Sequence, residues 1–401
     1  MPWKDVLPME ERIRFAVLAA KGDEVFADLC RQFGISRKTG YKWLKRYRKL
    51  GIAGTRELSR RPDRCPHRTA AKVEALILRE RRRHRSWGPK KLRELLRSDH
   101  AVTDPPACAT IAKILRRHGV VGKRGRRRRH GAILRCGPRA LTQPAAPNQV
   151  WTVDYKGWFR LGNGDRCDPL TISDLFSRYV LCLHAVWAAT QACTRRAFLE
   201  VFRRYGLPEV IRVDNGSPFA SMGLARLSKL SVWWVSLGIQ VEFIQPASPY
   251  QNGAHERMHK TLKAEATQPP SANRRAQQRR FDRWRQQFNH QRPHEALGMR
   301  KPAQLYQPSM RRYDGRDIRI DYPASFTVKR ATENGSLRWK GKVYFVGEAF
   351  ARTRLGLRQT RRGETELFLA NLCLGQLHLE SQGRLRPTAS VVPGFASSPK
   401  P

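Results

Sequence analysis

The stretch that most constrains this chain is Pro246-Ala-Ser-Pro-Tyr-Gln-Asn-Gly-Ala-His-Glu256-Arg-Met-His-Lys260-Thr-Leu-Lys263. Two prolines and the Asn252-Gly253 pair forbid regular structure up to the turn. From Ala254 to Ala266 nothing breaks a helix. Side chains three, four and seven apart share a helix face, so Glu256 falls in line with His259, Lys260 and Lys263. A carboxylate just inside a helix N-terminus, with lysines further along the same face, suits a metal ion held beside a polyanion. An ordinary amphipathic surface helix with an i,i+4 Glu–Lys pair has the same spacing.

Two upstream stretches narrow the choice. Trp151-Thr-Val-Asp154-Tyr-Lys-Gly and Val210-Ile-Arg-Val-Asp214-Asn-Gly-Ser-Pro-Phe each set an acid in or at the end of a short β-branched run. An acid carried into a core is costly unless it pairs or binds something. Three carboxylates from three segments are the smallest oxygen set that can hold two Mg²⁺ ions, with water and substrate phosphate completing the shells.

Asp154, Asp214 and Glu256 resemble the acidic triad of transposases and integrases with a retroviral-type core. Ser248-Pro-Tyr-Gln-Asn-Gly-Ala-His-Glu-Arg-Met-His-Lys and Asn289-His-Gln-Arg-Pro-His-Glu-Ala-Leu-Gly298 are similar to bacterial insertion-sequence transposases, and the core resemblance covers about residues 147–306. It implies an α/β ribonuclease-H-like catalytic core. It also implies catalysis and metal binding by Asp154, Asp214 and Glu256, with two Mg²⁺ ions, or Mn²⁺ in their place. The stretch between Asp214 and Glu256 is longer than in the shortest family members, and the loop after Ile244 can absorb the excess. Retroviral integrases also carry an N-terminal His/Cys zinc module, which this sequence lacks.

A chain of 401 residues predicts two to four domains, and 40% hydrophobic content suffices for packed cores. The eight cysteines are scattered without a C-x-x-C pair, which argues against a zinc site or disulfide framework and fits a reducing cytosol. No apolar run is long enough to span a bilayer, and the N-terminus lacks a signal-peptide pattern. The expectation is a cytoplasmic, nucleoid-associated bacterial protein with no membrane partner. Net charge is +45, so a polyanion is the expected partner. Double-stranded DNA, as element ends and target, fits best. A ribosomal protein would share the charge but not the triad.

Residues 1–53 read as a helix-turn-helix domain. Helices over Glu10–Ala20 and Val25–Phe33 precede the turn Gly34-Ile-Ser36, with Ser36 as N-cap of a third, basic helix. Leu29, Ile35, Trp43 and Leu44 would be core; Arg37, Lys38, Lys42 and Lys45 would face DNA. Residues 54–68 read as a linker. A second helix-turn-helix domain follows at 69–121, with helices Ala70–Arg83, Lys90–Arg97 and Cys108–His118, and with Lys113, Arg116 and Arg117 as candidate DNA contacts. Residues 122–146 form a basic linker, in which Arg126, Arg127 and Arg128 could track phosphates.

The core, 147–306, reads as strands at Trp151–Leu161, Leu170–Leu175, Tyr179–Val186, Glu209–Val213 and Ile239–Ile244. Helices are expected at Thr194–Tyr205, Gly223–Leu237 and Asn273–Gln291. In the family the first and fourth strands are neighbours, which would join Asp154 to Asp214. Asn252, Arg257, His259, Lys260 and Lys263 complete the candidate DNA contacts. Asp174 reads as a structural acid beside Arg178, and Asp165 as a turn residue. Histidine ligation of the metal would suit zinc better than magnesium. Residues 312–382 alternate with period two, which predicts a small all-β C-terminal barrel, and 383–401 a disordered tail.

The architecture is thus multidomain: α-helical N-terminal units, the α/β core and the barrel. The function it implies is a DNA transposase, an Mg-dependent polynucleotidyl transferase for cleavage and strand transfer, acting as a homodimer or higher oligomer because an element has two ends. The alternatives are a catalytically inactive DNA-binding regulator or relic, which the intact triad opposes, and a ribonuclease-H-type nuclease, which leaves the helix-turn-helix units unexplained.

Overall fold

The computed structural model describes residues 8–57, 68–121, 141–245, 249–316, 320–360, 363–377 and 385–391. The chain divides into two compact units, Met1–Ala70 and Ala71–Pro401.

The first unit holds α1 (Pro8–Lys21), α2 (Phe26–Gln32) and α3 (Arg37–Leu50). Gly22 and Gly34, at φ +79° and +63°, end the first two helices in a conformation that costs glycine little. Ser36 caps α3, its Oγ accepting from the Thr39 N–H at 3.2 Å. Leu29, Ile35, Trp43 and Leu44 close a core with Phe15, Ala19 and Cys30. Gly40 lies where α3 crosses its neighbours: a Cβ there would meet Cys30 Sγ at 2.7 Å and the Phe26 ring at 2.9 Å. Gly40→Val should therefore destabilise this unit by about 1–3 kcal/mol, the usual cost of overpacking. A thermal melt would read it, and an unchanged melt would refute the tight crossing.

The second unit begins with α4 (Ala71–Arg83), α5 (Pro89–Ser98) and α6 (Cys108–Arg117). They pack around Ile77, Trp87, Leu92, Leu96, Ile111 and Leu115. Pro89 opens α5, where its missing N–H costs no helix bond. This helical unit docks on the core: Lys90 pairs with Glu295 at 3.0 Å, Lys301 with Asp99 at 2.6 Å, and the Gln287 amide with His84 Nδ1 at 2.6 Å.

The core contains β1 (Val150–Tyr155), β2 (Phe159–Arg160), β3 (Arg166–Asp174), β4 (Val180–Val186), α7 (Gln191–Tyr205), β5 (Val210–Val213), α8 (Lys229–Ser236), β6 (Gln240–Phe243), α9 (Gly253–Ala266) and α10 (Arg274–His290). The sheet runs β2-β3-β1-β5-β6, with β4 on β3. β1 and β4 are antiparallel to β3, whereas β5 is parallel to β1 and to β6. One apolar cluster joins Trp151, Val153 and Ile211 to Phe198, Phe202 and Trp234 of α7 and α8. A second joins Cys167, Val180 and Leu183 to Met258 and Leu262 of α9 and Phe281, Trp284 and Phe288 of α10. The sheet is thus covered by helices on both faces.

Two expected elements are shorter than their sequence pattern. The strand foreseen over Trp151–Leu161 breaks after Tyr155, where Gly157 takes φ +86°. The helix foreseen over Gly223–Leu237 starts only at Lys229, because Ser228 closes a capping box with Ser231 and Ala225 is left-handed at φ 51°.

The C-terminal region is β7 (Thr327–Arg330), β8 (Ser336–Trp339), β9 (Lys342–Phe345), β10 (Arg354–Gln359), β11 (Thr365–Leu369), β12 (Leu372–Leu377) and β13 (Leu385–Val391). Five strands form one antiparallel sheet, β13-β12-β11-β10-β7, and β8–β9 is a separate hairpin. No pairing among the described residues closes this sheet into the expected barrel, because the chain between β7 and β10 goes into the hairpin. The foreseen disordered tail also begins too early, since β13 pairs with β12 from Leu377↔Leu385 to Leu372↔Val391. Residues 392–401 lie outside the described residues.

Candidate active site

β1 carries Asp154 one residue before its end, and β5 delivers Asp214 immediately after its last residue. The parallel register pairs Thr152 with Arg212. Continued by two residues, that register sets Asp154 opposite Asp214. Both are half-buried, while Glu256 lies exposed on the first turn of α9. Gly216 N–H donates to Asp214 Oδ1 at 3.2 Å. Burial, then the Asp214 charge, and more weakly that of Glu256, push the Asp154 carboxyl up to about 7. Burial raises Asp214 as well.

Beneath the acids lies a polar network that composition could not reveal. Thr171, opposite Asp154 on β3, donates to the Asp154 carbonyl oxygen at 2.9 Å. Its Oγ also lies 2.6 Å from His255 Nε2 and 2.7 Å from His259 Nε2. A hydroxyl has one proton, so with that proton on the carbonyl both imidazoles must donate from Nε2. His255 Nδ1 then accepts from Thr152 Oγ at 2.7 Å, with Ser173 Oγ at 3.2 Å. His259 Nδ1 faces Asp154 Oδ2 at 3.5 Å. Burial holds both rings neutral, pushing His255 down to about 3 and His259 to about 2.

Ligand atoms of Asp154, His255 and His259 lie within 4.8 Å of one another, a spacing a metal could use. Both His255 nitrogens and His259 Nε2 are already bonded to hydroxyls. The histidines therefore orient Asp154 through Thr171 and leave its carboxylate to the open side. The i,i+4 spacing puts both rings on one face of α9, and nothing in the sequence marks that face as the inward one.

This corrects two candidate DNA contacts. His259 is 5% exposed and Asn252 6% exposed, so neither offers a surface to a duplex. The cause is the packing of α9 through Met258, Leu262 and Ala266 against the sheet and α10. Arg257, Lys260 and Lys263 stay exposed on α9. Arg37, Lys38, Lys42 and Lys45 are exposed on α3, as are Lys113 and Arg116 on α6. Arg117 is drawn into an ion pair with Glu74, shared with His118. Arg126, Arg127 and Arg128 lie outside the described residues. Asp174 is fully buried, accepting from Asn148 N–H at 2.8 Å and Ser177 N–H at 2.7 Å, which is a structural role. Asp165 accepts from the Asn163 amide at 2.7 Å in the β2–β3 turn.

Family comparisons agree with this layout. Models described as integrase core domain match residues 144–249 and 237–302. A helix-turn-helix domain matches 11–63, and a homeodomain-like domain matches 39–115. The insertion element IS407 uncharacterized 31.7 kDa protein of Burkholderia multivorans is 30% identical over 196 residues, 49% of this chain and 67% of that protein. The insertion element IS476 uncharacterized 39.2 kDa protein of Xanthomonas euvesicatoria is 25% identical over 68% of this chain and 75% of its own length. The HTLV-2 integrase catalytic core, solved with magnesium, aligns over 41% of this chain and all of its own at 17% identity and a TM-score of 0.31. Among the described residues no helix is long and apolar enough to cross a membrane. With its integrase-type core behind helix-turn-helix units, the chain belongs to the insertion-element family of DDE transposases.

Proposed function

We propose that this chain binds the ends of its element, hydrolyses a phosphodiester there, and transfers the freed 3′-hydroxyl into target DNA. The observation that carries the reading is the cluster at the β1 and β5 ends, where burial and the neighbouring charges push Asp154 up to about 7. Carboxylates gathered against their own repulsion suit a hard divalent cation. Asp154, Asp214 and Glu256 would hold two Mg²⁺ ions, with Mn²⁺ able to replace them. When bound, such ions stabilise charge on the attacking and leaving oxygens of an in-line displacement. The chain's own work is positional. Thr171, braced by the two neutral histidines, fixes the Asp154 backbone, and the Gly216 N–H holds Asp214. Lys260 and Lys263 offer charge to the flanking phosphates. The exposed basic face of α3 and Lys113 and Arg116 of α6 would recognise the ends, and two ends call for at least two copies of the chain.

The test is strand cleavage of end DNA by the purified protein in Mg²⁺. Lys260→Ala with Lys263→Ala should weaken binding of cleavable DNA and flatten its salt dependence by up to ~2 in log–log slope, about one unit for each lost phosphate contact. An exposed Glu–Lys pair alone would contribute only ~0.3–0.5 kcal/mol. A double variant with wild-type strand transfer across a salt series would reduce these lysines to surface decoration.

A further inference from the structure

The C-terminal end of α9, the end of α4 and the middle of α10 surround an open cleft of about 460 Å³. Five arginines line it, Arg82, Arg83 and Arg85 from the α4 end and Arg280 and Arg283 from α10, against one acid, Glu265. That acid is already shared: one oxygen accepts from Arg292 at 2.8 Å and the other from the Trp284 indole at 2.7 Å. Asp282, beside Arg283 in the sequence, lines a different cleft with Arg196 and Arg274. Glu80 of α4 is buried and pairs with Arg79 at 3.2 Å. The cleft therefore keeps a positive charge that its own lining does not neutralise.

The structural work at this place falls to other guanidinium groups. Arg81 serves bare carbonyls after α4, donating to Trp87 O at 2.7 Å and Val120 O at 3.3 Å. Arg280 closes the end of α9, donating to Glu265 O at 3.1 Å and Gln268 O at 2.9 Å. Arg82, Arg83, Arg85 and Arg283 are exposed and, among the described residues, have neither ion pair nor hydrogen bond. Four like charges gathered around one cleft repel one another, and a polyanion lying among them relieves that repulsion.

We propose that this cleft seats the backbone of duplex DNA on the flank of the cleavage site. The path is set by α9. Glu256, Lys260 and Ala264 form one i,i+4 row on its surface, and all three are exposed. Ala264 lines the cleft, as does Gln268 just past the helix end. Ala264 lies about two turns after Glu256, roughly 12 Å along the axis, which is the rise of about three to four base pairs. A duplex cut at the triad and laid along this row passes over Lys260 and enters the arginines. Such contacts pair charge with phosphate and carry no sequence preference. They would seat the second helical unit and the catalytic core on one duplex. The path from the triad rests on the reading of the chain as a DNA-cleaving transposase, whereas affinity of the cleft for duplex DNA does not.

The experiment uses the full chain as wild type, as Arg83→Gln with Arg283→Gln, and as Arg83→Lys with Arg283→Lys. Lys72→Gln with Lys229→Gln is the control, removing two exposed charges outside the cleft. Each protein is melted, and its affinity for end duplex is measured across a salt series. The duplex is used plain and with single phosphates near the cut replaced by neutral methylphosphonates. The glutamine pair should melt as wild type, bind about tenfold more weakly and lose up to ~2 in log–log salt slope. The lysine pair and the control should stay within about twofold of wild type, since these contacts act as point charges. Methylphosphonates about three to four base pairs from the cut should weaken wild type and leave the glutamine pair unmoved. Unchanged affinity and slope in the glutamine pair, or a loss no larger than in the control, overturns the cleft as a DNA seat. Equal sensitivity of wild type and glutamine pair to every methylphosphonate overturns the path along α9. A lower melt in both the glutamine and lysine pairs, with matching loss of affinity, makes these arginines structural and overturns the proposal. Absence of end cleavage by wild type would sink the transposase reading, while the salt series still reports on the cleft.

Discussion

Asp154→Asn should lose end cleavage by about three orders of magnitude and yet melt higher than wild type in metal-free buffer at pH 8. Removing a carboxylate that would hold the divalent ions beside the reacting phosphate costs catalysis several kcal/mol, about a factor of ten for each 1.4 kcal/mol. Stability moves the other way. The Asp154 carboxyl sits near 7 in the fold, far above its ordinary value, because burial and the charges of Asp214 and Glu256 oppose its ionisation. A raised acid favours folding fully below its unfolded pKa of about 4, and that contribution is lost as pH rises through 7. Metal-free wild type should therefore lose melting temperature between pH 5 and pH 8 more steeply than Asp154→Asn. Mg²⁺ should restore wild type at pH 8 and leave the variant nearly unmoved. Parallel melting curves for the two proteins across that range would contradict the electrostatic account.

The second large effect is expected at Thr171. Its one hydroxyl serves the Asp154 carbonyl, His255 and His259. Thr171→Val keeps the shape and leaves a carbonyl and two imidazole N–H groups buried without a partner. Each such loss costs ~1–3 kcal/mol, so a total of roughly 3–5 kcal/mol is expected after relaxation. Cleavage should fall with it, because Asp154 is no longer fixed, and Thr171→Ser should restore both. Melting and cleavage that stay at wild-type values in Thr171→Val would remove the network from the account.

The acids were legible because each signals through local chemistry: a short β-branched run ending in an aspartate, or a helix opening after Asn252-Gly253. The meeting of Asp154 with Asp214 follows from the parallel pairing of β1 with β5. The role of His259 was not legible. On α9 it shares a spacing with both the exposed Glu256–Lys260–Lys263 face and the buried Met258–Leu262 face, and a polar residue gives no hydropathy signal to separate them. Only Thr171, brought across from β3, reveals why a neutral histidine belongs inside. The ion pair of Arg117 was hidden for a related reason, since its partner Glu74 sits on another helix. The docking of α4 and α5 on the core was equally hidden, because Lys90–Glu295 and Asp99–Lys301 join residues some two hundred positions apart. The alternation after Tyr313 gave strands correctly but not closure, which depends on where the chain between β7 and β10 turns.

The central claim is that Asp154, Asp214 and Glu256 act together on a phosphodiester. Glu256 tests it most cleanly: it is exposed on α9, so its replacement leaves the fold alone. Purified wild type and Glu256→Gln would be incubated with end DNA in Mg²⁺ and nicked strands counted over time. The account predicts nicking by wild type, none above background by Glu256→Gln, and equal DNA binding by both. Nicking by Glu256→Gln at the wild-type rate would contradict it.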